Sequence, residues 1–137
     1  MTGPIPPHVG QPVLRGGTPI ASAKAAVIMI HGRGAGPGNI MDLVPAIGHP
    51  NTAYLAPAAA GGTWYPQSFM APTAANEPGI SSGISVIHAL VDEIVAAGIP
   101  TERIILLGFS QGACLASTSA QRRPMRYGGV VVLSGGL

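Results

Sequence analysis

Charged side chains are scarce in this sequence. Of its 137 residues, seven are Lys or Arg and five are Asp or Glu, 9% in total. Proteins that bind nucleic acid present clustered cations, and the longest cationic run here is the pair Arg122 and Arg123. Nucleic acid is therefore not expected as a partner. Hydrophobic residues make up 47%, so most of the chain should be buried in its own core or against another surface.

Cysteine, leader and membrane signals are also lacking. The single cysteine, Cys114, cannot form an internal disulfide, which favours a reducing, cytoplasmic location. The first residues, M-T-G-P-I-P-P-H-V-G, have neither the cationic nor the apolar segment of a signal peptide. No apolar run reaches the ~20 residues that a membrane span needs. The sequence predicts a cytoplasmic protein without a membrane span.

The sequence does contain continuous apolar runs, typical of strands, and these alternate with segments of helical periodicity. One apolar stripe recurs at intervals of four and three residues, at Ile80, Ile84, Ile87, Val91 and Ile94. Strands are predicted at 25–30, 52–56, 103–109 and 129–133, and helices at 40–47, from 77 to Gly98 and at 111–122. This alternation predicts a single α/β domain over 1–137, with a mostly parallel sheet and helices on both faces. Residues 1–23 are rich in Pro and Gly and predict a loose arm with at most one short edge strand.

The motif G-F-S-Q-G at 108–112 is the most informative feature of the chain. It has the form G-x-S-x-G and lies between an apolar strand and an amphipathic helix. In such a strand-to-helix corner the serine adopts a strained backbone conformation that exposes its hydroxyl. Glycine is needed on both sides, because a Cβ would collide where the strand and helix approach. Ser110 is therefore the candidate nucleophile, in preference to an ordinary turn serine.

A glycine-rich loop follows the first predicted parallel strand. Acyl transfer from a serine requires two backbone N–H groups that hold the oxyanion. In this architecture one is the amide after the nucleophile, here that of Gln111, and the other comes from an earlier loop. The run H-G-R-G at 31–34 is in the right place for that loop. It does not fit a dinucleotide-binding motif, because Pro37 and Asn39 stand where the third glycine is required.

Four segments together resemble one known family. They are I-M-I-H-G-R-G-A at 28–35, G-T-W-Y-P at 62–66, I-P-T-E-R-I-I-L-L-G-F-S-Q-G-A-C-L-A at 99–116 and R-Y-G-G-V-V-V-L-S-G-G-L at 126–137. They resemble the phospholipase/carboxylesterase family of α/β-hydrolases, which includes bacterial carboxylesterases and acyl-protein thioesterases. The resemblance implies an α/β-hydrolase fold and a cytoplasmic enzyme without cofactor or metal. Its implied substrates are carboxylic esters or thioesters of small to medium acyl chains, and also lysophospholipids.

The resemblance also assigns roles to residues. It implies that Ser110 is the nucleophile, that the amides of Arg33 and Gln111 form the oxyanion hole, and that Trp64 lies beside the substrate pocket. From the residues alone, Trp64 could equally be a core residue. The long irregular stretch 57–76 that contains Trp64 is more typical of a site wall than of a simple connection.

The chain departs from this pattern after the candidate nucleophile. The fold's catalytic triad runs in the order Ser, Asp or Glu, then His, but no Asp, Glu or His follows Ser110. We therefore expect an incomplete hydrolase domain, with the triad His and Asp beyond Leu137. Each missing partner would end a further strand and a βαβ unit takes ~30 residues, so roughly 60 or more residues are expected to be absent. The alternative is a catalytically incomplete binding or assembly module of the same fold. The sequence leaves the oligomeric state open, including a homodimer.

The remaining polar residues have structural interpretations. His31 is expected to fix the glycine-rich loop by hydrogen bonds and not to act as the base. Cys114, one helical turn past Ser110, is expected to be a small buried side chain. His8 and His49 are expected at the surface and His88 at the boundary of its helix.

Overall fold

The computed structural model describes residues 5–68 and 70–133, and of Thr73 it describes the backbone only. The motif residues 134–137 and Phe69 of the predicted site wall lie outside the described residues. Within those limits the chain forms one five-stranded sheet with helices on both faces.

The sheet has the mostly parallel arrangement that the sequence predicts. Its strands are β1 (Val13–Gly17), β2 (Ala25–Ile30), β3 (Thr52–Pro57), β4 (Ile104–Phe109) and β5 (Gly129–Leu133). Their order is β1-β3-β2-β4-β5, with β1 antiparallel to β3 and every other pairing parallel. In the central pair, Ile30 of β2 is in register with Gly108 of β4. This register brings the glycine-rich loop and the G-x-S-x-G corner to the same edge of the sheet.

Four helices connect these strands. They are α1 (Pro37–Met41), α2 (Val44–Ile47), α3 (Gly79–Ala96) and α4 (Gln111–Arg122), with short 3₁₀ turns at Ala60–Gly62, Thr73–Asn76 and Thr101–Arg103. The helix predicted at 40–47 is split in two because Pro45 cannot donate a backbone hydrogen bond. Helix α3 begins two residues later than predicted, yet the carboxylate of Glu77 still accepts a bond from the backbone N–H of Ser81 at 2.8 Å.

The two faces of the sheet bury different amounts of apolar surface. On one face α3 and α4 cover alternate strand residues such as Ile28, and the predicted stripe of α3 is buried there apart from the half-buried Ile80. On the other face α1 and α2 cover a smaller group that includes Met29 and Tyr54. By length and mean hydropathy α3 could also span a membrane, but half of it is buried in this core. Helix α3 therefore serves here as a core helix.

The described part of the amino-terminal segment, residues 5–23, is not the loose arm that its composition predicts; residues 1–4 lie outside the described residues. Strand β1 is the expected short edge strand, and two of the residues before it are also hydrogen-bonded to α3. The backbone N–H of Ile5 donates to Oγ of Ser85 at 3.0 Å, and that of His8 donates to Oγ of Ser82 at 2.9 Å. The prediction of looseness was wrong because α3 offers serine hydroxyls that local composition does not reveal.

Candidate active site

Ser110 occupies the strained corner that its motif predicts. It lies between β4 and α4 with φ 55° and ψ −116°, a conformation that is costly for any residue other than glycine. A Cβ on Gly108 would lie 2.2 Å from the carbonyl oxygen of Gly112, and one on Gly112 would lie 2.1 Å from that of Ile30. Neither distance is possible, so both glycines are required. The corner leaves Ser110 exposed at the edge of the sheet.

The glycine-rich loop packs directly against this corner. A Cβ on Gly32 would lie 3.4 Å from the Cβ of Ser110, so the two backbones are in close contact. Among residues 5–68 and 70–133, the backbone N–H groups of Arg33 and Gln111 donate to no other residue. The sheet therefore brings an exposed hydroxyl to the same edge as two amides that donate to none of the described residues. The catalytic roles of these three residues stay predictions.

A groove of about 230 Å³ opens at Ser110. It is lined by Arg33, Tyr65, Ser68, Met70, Ser110, Gln111 and Cys114. Burial raises the pKa of the Tyr65 phenol, so that group is neutral at physiological pH. The groove thus combines one guanidinium group with hydroxyl, thioether and thiol groups, and no carboxylate or imidazole of the described residues lines it.

A second, more apolar cavity of about 390 Å³ lies on the other side of the Gly32 loop. Its walls include Ile40, Leu43 and the ring of Phe109, which is 46% exposed. Its apolar walls could take an acyl chain. Sequence reasoning did not single out Phe109, Ile40 or Leu43, because each follows the ordinary apolar pattern of its element.

Trp64 is a core residue, and its ring does not line the groove. The side chain is fully buried, and its indole N–H donates to the carbonyl oxygen of His31 at 2.9 Å. The ring packs on α3 where a small residue leaves room, since a Cβ on Gly83 would lie 3.3 Å from it. The neighbouring Tyr65 lines the groove instead. Of the two interpretations of Trp64 that the residues allowed, the structure favours the core.

His31 has the structural role expected of it. Its Nδ1 donates to the carbonyl oxygen of Gly32 at 2.7 Å, and its Nε2 accepts from the backbone N–H of Ala59 at 3.0 Å. Both ring nitrogens are therefore engaged, and burial lowers the pKa of the imidazole. A neutral ring with no free nitrogen cannot serve Ser110 as a general base.

His8 is buried, contrary to its expected place at the surface. Its Nε2 donates to the carbonyl oxygen of Trp64 at 2.7 Å, and its Nδ1 accepts from the backbone N–H of Ala60 at 3.0 Å. Burial is the main cause that lowers its pKa. The prediction was wrong because these partners lie more than fifty positions away. The sequence did contain one signal of this packing. Gly79 and Gly83 are small residues on α3, and they leave room for Trp64, the partner of His8.

The other side chains singled out from the sequence lie as expected. His49 is exposed, His88 is half-buried with its Nε2 3.0 Å from the carbonyl oxygen of Ser119, and Cys114 is a buried free thiol. Within the described part of the chain, no group of three His, Cys, Asp or Glu residues is placed to hold a metal ion.

Comparisons with known proteins give the fold and the family. Solved structures with the same arrangement are α/β-hydrolases, and that is the fold of this chain. The phospholipase/carboxylesterase family profile matches residues 17–137, and the chain belongs to that family.

Individual relatives give the extent of the likeness. The chain is 35% identical over 130 residues to acyl-protein thioesterase 1 of Kluyveromyces lactis, covering 82% of this chain and 57% of the relative. It superposes on the crystal structure of a phospholipase/carboxylesterase from Dyadobacter fermentans with a TM-score of 0.89 and 41% identity, over 93% of this chain and 61% of that one. Esterase PE8 gives a TM-score of 0.70 at 26% identity, over 91% and 63%. The chain thus spans about three fifths of the length of these relatives.

Proposed function

We propose that this protein is a serine carboxylic ester hydrolase in which Ser110 is the nucleophile and the amides of Arg33 and Gln111 form the oxyanion hole. The observation that carries the proposal is the strained, exposed Ser110 beside two N–H groups without a partner among the described residues. Acyl transfer requires that combination. The serine attacks the substrate carbonyl, and the two N–H groups stabilise the negative charge that develops on the carbonyl oxygen during the attack.

The proposed reaction has two steps. The Oγ of Ser110 attacks the substrate carbonyl carbon and loses its proton to a base, the bond to the alcohol or thiol breaks, and the leaving group takes up that proton. Water then attacks the acyl-enzyme, releases the carboxylic acid and restores the hydroxyl. The base and its orienting carboxylate are proposed to be a His and an Asp beyond Leu137, since both nitrogens of His31 are engaged.

The substrate class follows from the family and the two cavities. Carboxylic esters of small to medium acyl chains are proposed, with thioesters and lysophospholipids as further members of the class. The apolar cavity bounded by Phe109 would hold the acyl chain, and the groove bounded by Arg33 the leaving group. A cytoplasmic location and the absence of a nucleic-acid partner stay predictions from the sequence. The sequence leaves the oligomeric state open, including a homodimer.

A fluorophosphonate probe tests the nucleophile on the complete gene product. We expect covalent labelling together with turnover of a short-chain p-nitrophenyl ester, and Ser110→Ala should abolish both. Ser117→Ala, on the same helix but outside the groove, is the matched control and should keep them. Labelling or turnover that survives Ser110→Ala would remove the assignment.

A non-catalytic binding or assembly module is the second candidate. It is favoured by β5, an edge strand on which Val130 and Val131 are 39% and 37% exposed. Such an apolar edge invites cover by another segment or chain. The intact mass of the expressed protein, compared with the encoded reading frame, separates the candidates. A frame that ends at Leu137, together with no ester turnover, would favour the module.

A further inference from the structure

The two amides of the proposed oxyanion hole come from loops far apart in sequence, and something must fix their separation. The side chains of the same two residues both reach one short segment, residues 64–67. Gln111 accepts from the backbone N–H of Trp64 at 2.7 Å through Oε1 and donates to the carbonyl oxygen of Tyr65 at 2.8 Å through Nε2. These two bonds satisfy both ends of a buried amide.

Arg33 completes the bridge from the other loop. Its Nη1 donates to the carbonyl oxygen of Pro66 at 2.9 Å and its Nη2 to that of Gln67 at 2.8 Å. Four consecutive residues are therefore held by two side chains, and each side chain belongs to a proposed oxyanion donor. The planar guanidinium suits this role, because its fork holds two acceptors in a fixed geometry.

The 64–67 segment is itself firmly supported. The indole N–H of Trp64 donates to the carbonyl oxygen of His31, the first residue of the glycine-rich loop, and the carbonyl oxygen of Trp64 accepts from His8. Helix α3 lies directly behind it, since a Cβ on Gly79 would lie 2.3 Å from that carbonyl oxygen. The backbone N–H of Gln67 donates to Oδ1 of the buried Asn76 at 2.7 Å. A segment held at this many points can act as a rigid brace.

We propose that residues 64–67 are a positioning brace that sets the distance between the two oxyanion amides, and that the side chains of Arg33 and Gln111 are the ties. The inference rests on the proposed hydrolase function. An oxyanion hole is effective only when both donors are already in place as charge develops, and a displacement of about 1 Å in a catalytic group can cost 10²-fold in rate. The side chains thus act through the position of the amides and need not touch the substrate.

Substitutions that cut the ties but keep both amides test the brace. In the complete gene product, Gln111→Met should lower kcat by between about 10-fold and 100-fold, with KM changed by less than about 3-fold. Arg33→Met should lower kcat by about 3-fold to 10-fold, because its bonds are exposed to water, and Arg33→Lys should recover part of that loss. Gln121→Met on α4 and Arg15→Met on β1 are the matched controls and should leave kcat unchanged.

A charge-changing variant gives a readout that a merely structural role would not move. In Gln111→Glu the carboxylate can still accept from Trp64, but it faces the carbonyl oxygen of Tyr65 with no proton to donate. Protonation of the introduced carboxylate would restore a hydrogen-bond donor to Tyr65. The ratio of variant to wild-type kcat should therefore rise as pH falls from 8 to 5.5. The same ratio for Gln111→Met should stay flat.

The outcomes separate the brace from the function on which it depends. Absence of wild-type turnover, or turnover that survives Ser110→Ala, would overturn the hydrolase proposal and the brace with it. Turnover that requires Ser110 but keeps kcat within about twofold in Arg33→Met, or in any Gln111 variant that folds, would overturn the brace alone. Because Arg33 is exposed, Arg33→Met is expected to fold and gives a result even where the Gln111 variants do not.

Discussion

Two regions of the molecule differ in the hydrogen bonding of their polar groups. One is the exposed corner at Ser110, and the other is the buried layer formed by His8, His31 and Trp64. At the corner, a strained serine is exposed beside two amides that donate to none of the described residues. Below it, His8 and His31 flank the Trp64 ring at centroid distances of 4.9 Å and 5.1 Å, and every nitrogen of the two imidazoles is bonded. Polar groups with no partner among the described residues and polar groups with every hydrogen bond made thus lie close together in this fold.

This contrast bears on which polar residues are candidates for a functional role. Two buried histidines in a chain with a candidate serine nucleophile would ordinarily suggest a base, yet both have fully satisfied rings. Unsatisfied hydrogen-bonding groups are costly, so a fold keeps them only where neighbouring structure fixes them or where a ligand will bind. Ser110 and the amides of Arg33 and Gln111, which lie at the exposed edge of the sheet, therefore stay the proposed reactive groups.

The largest expected effect comes from the glycine that joins the two regions. Gly112→Ala would place a Cβ 2.1 Å from the carbonyl oxygen of Ile30, so α4 would have to move away from β2. We expect a loss of at least about 3 kcal/mol in the free energy of unfolding, measured by urea denaturation. Gly38→Ala in α1 meets no atom within 4 Å and should be neutral or stabilising by up to ~1 kcal/mol. Equal stability of the two variants would show that the corner is not closely packed.

The buried layer should make stability depend on pH. The pKa values of His8 and His31 lie below the ordinary 6.5 because burial disfavours the charged ring. The unfolded chain therefore binds protons that the folded chain refuses, and the free energy of unfolding should fall as pH drops from about 6.5 toward the lowered values. It should be level above that window. Urea denaturation between pH 7.5 and 5.5 measures this dependence.

Variants assign that pH dependence to the two rings. His8→Gln and His31→Gln should each flatten the slope, whereas His49→Gln, at an exposed position, should leave it as in the wild type. A flat profile in the wild type would contradict the account of the buried layer, and so would a slope that none of the three variants alters.

Ser110→Ala is expected to have the smallest effect on stability, although its expected effect on activity is the largest. Ser110→Ala keeps the backbone of the corner and removes one exposed hydroxyl, so the free energy of unfolding should change by no more than about 0.5 kcal/mol. Urea denaturation of the variant beside the wild type measures the change. A loss comparable to that of Gly112→Ala would mean that the hydroxyl is a structural group.

Local sequence patterns predicted the exposed corner at Ser110. The arrangement of the buried layer depends instead on contacts between residues that lie far apart in the sequence. The bounds of α4 and β5 follow from apolar runs and from the turn residues around them, and the form G-x-S-x-G encodes the conformation of Ser110 within five positions. The burial of His8 depends on Trp64 and Ser82, which lie 56 and 74 positions away. The partners of the Arg33 and Gln111 side chains are backbone atoms of a loop without regular structure. No periodicity in the sequence marks such atoms as hydrogen-bond partners.

A crystal structure of the complete gene product after reaction with a fluorophosphonate would show whether Ser110 and the two amides act together on one substrate atom. The account predicts a covalent bond from Oγ of Ser110 to phosphorus, with the phosphoryl oxygen about 2.7–3.1 Å from the backbone nitrogens of both Arg33 and Gln111. A phosphoryl oxygen directed away from both amides, or phosphorus bound to a residue other than Ser110, would contradict it.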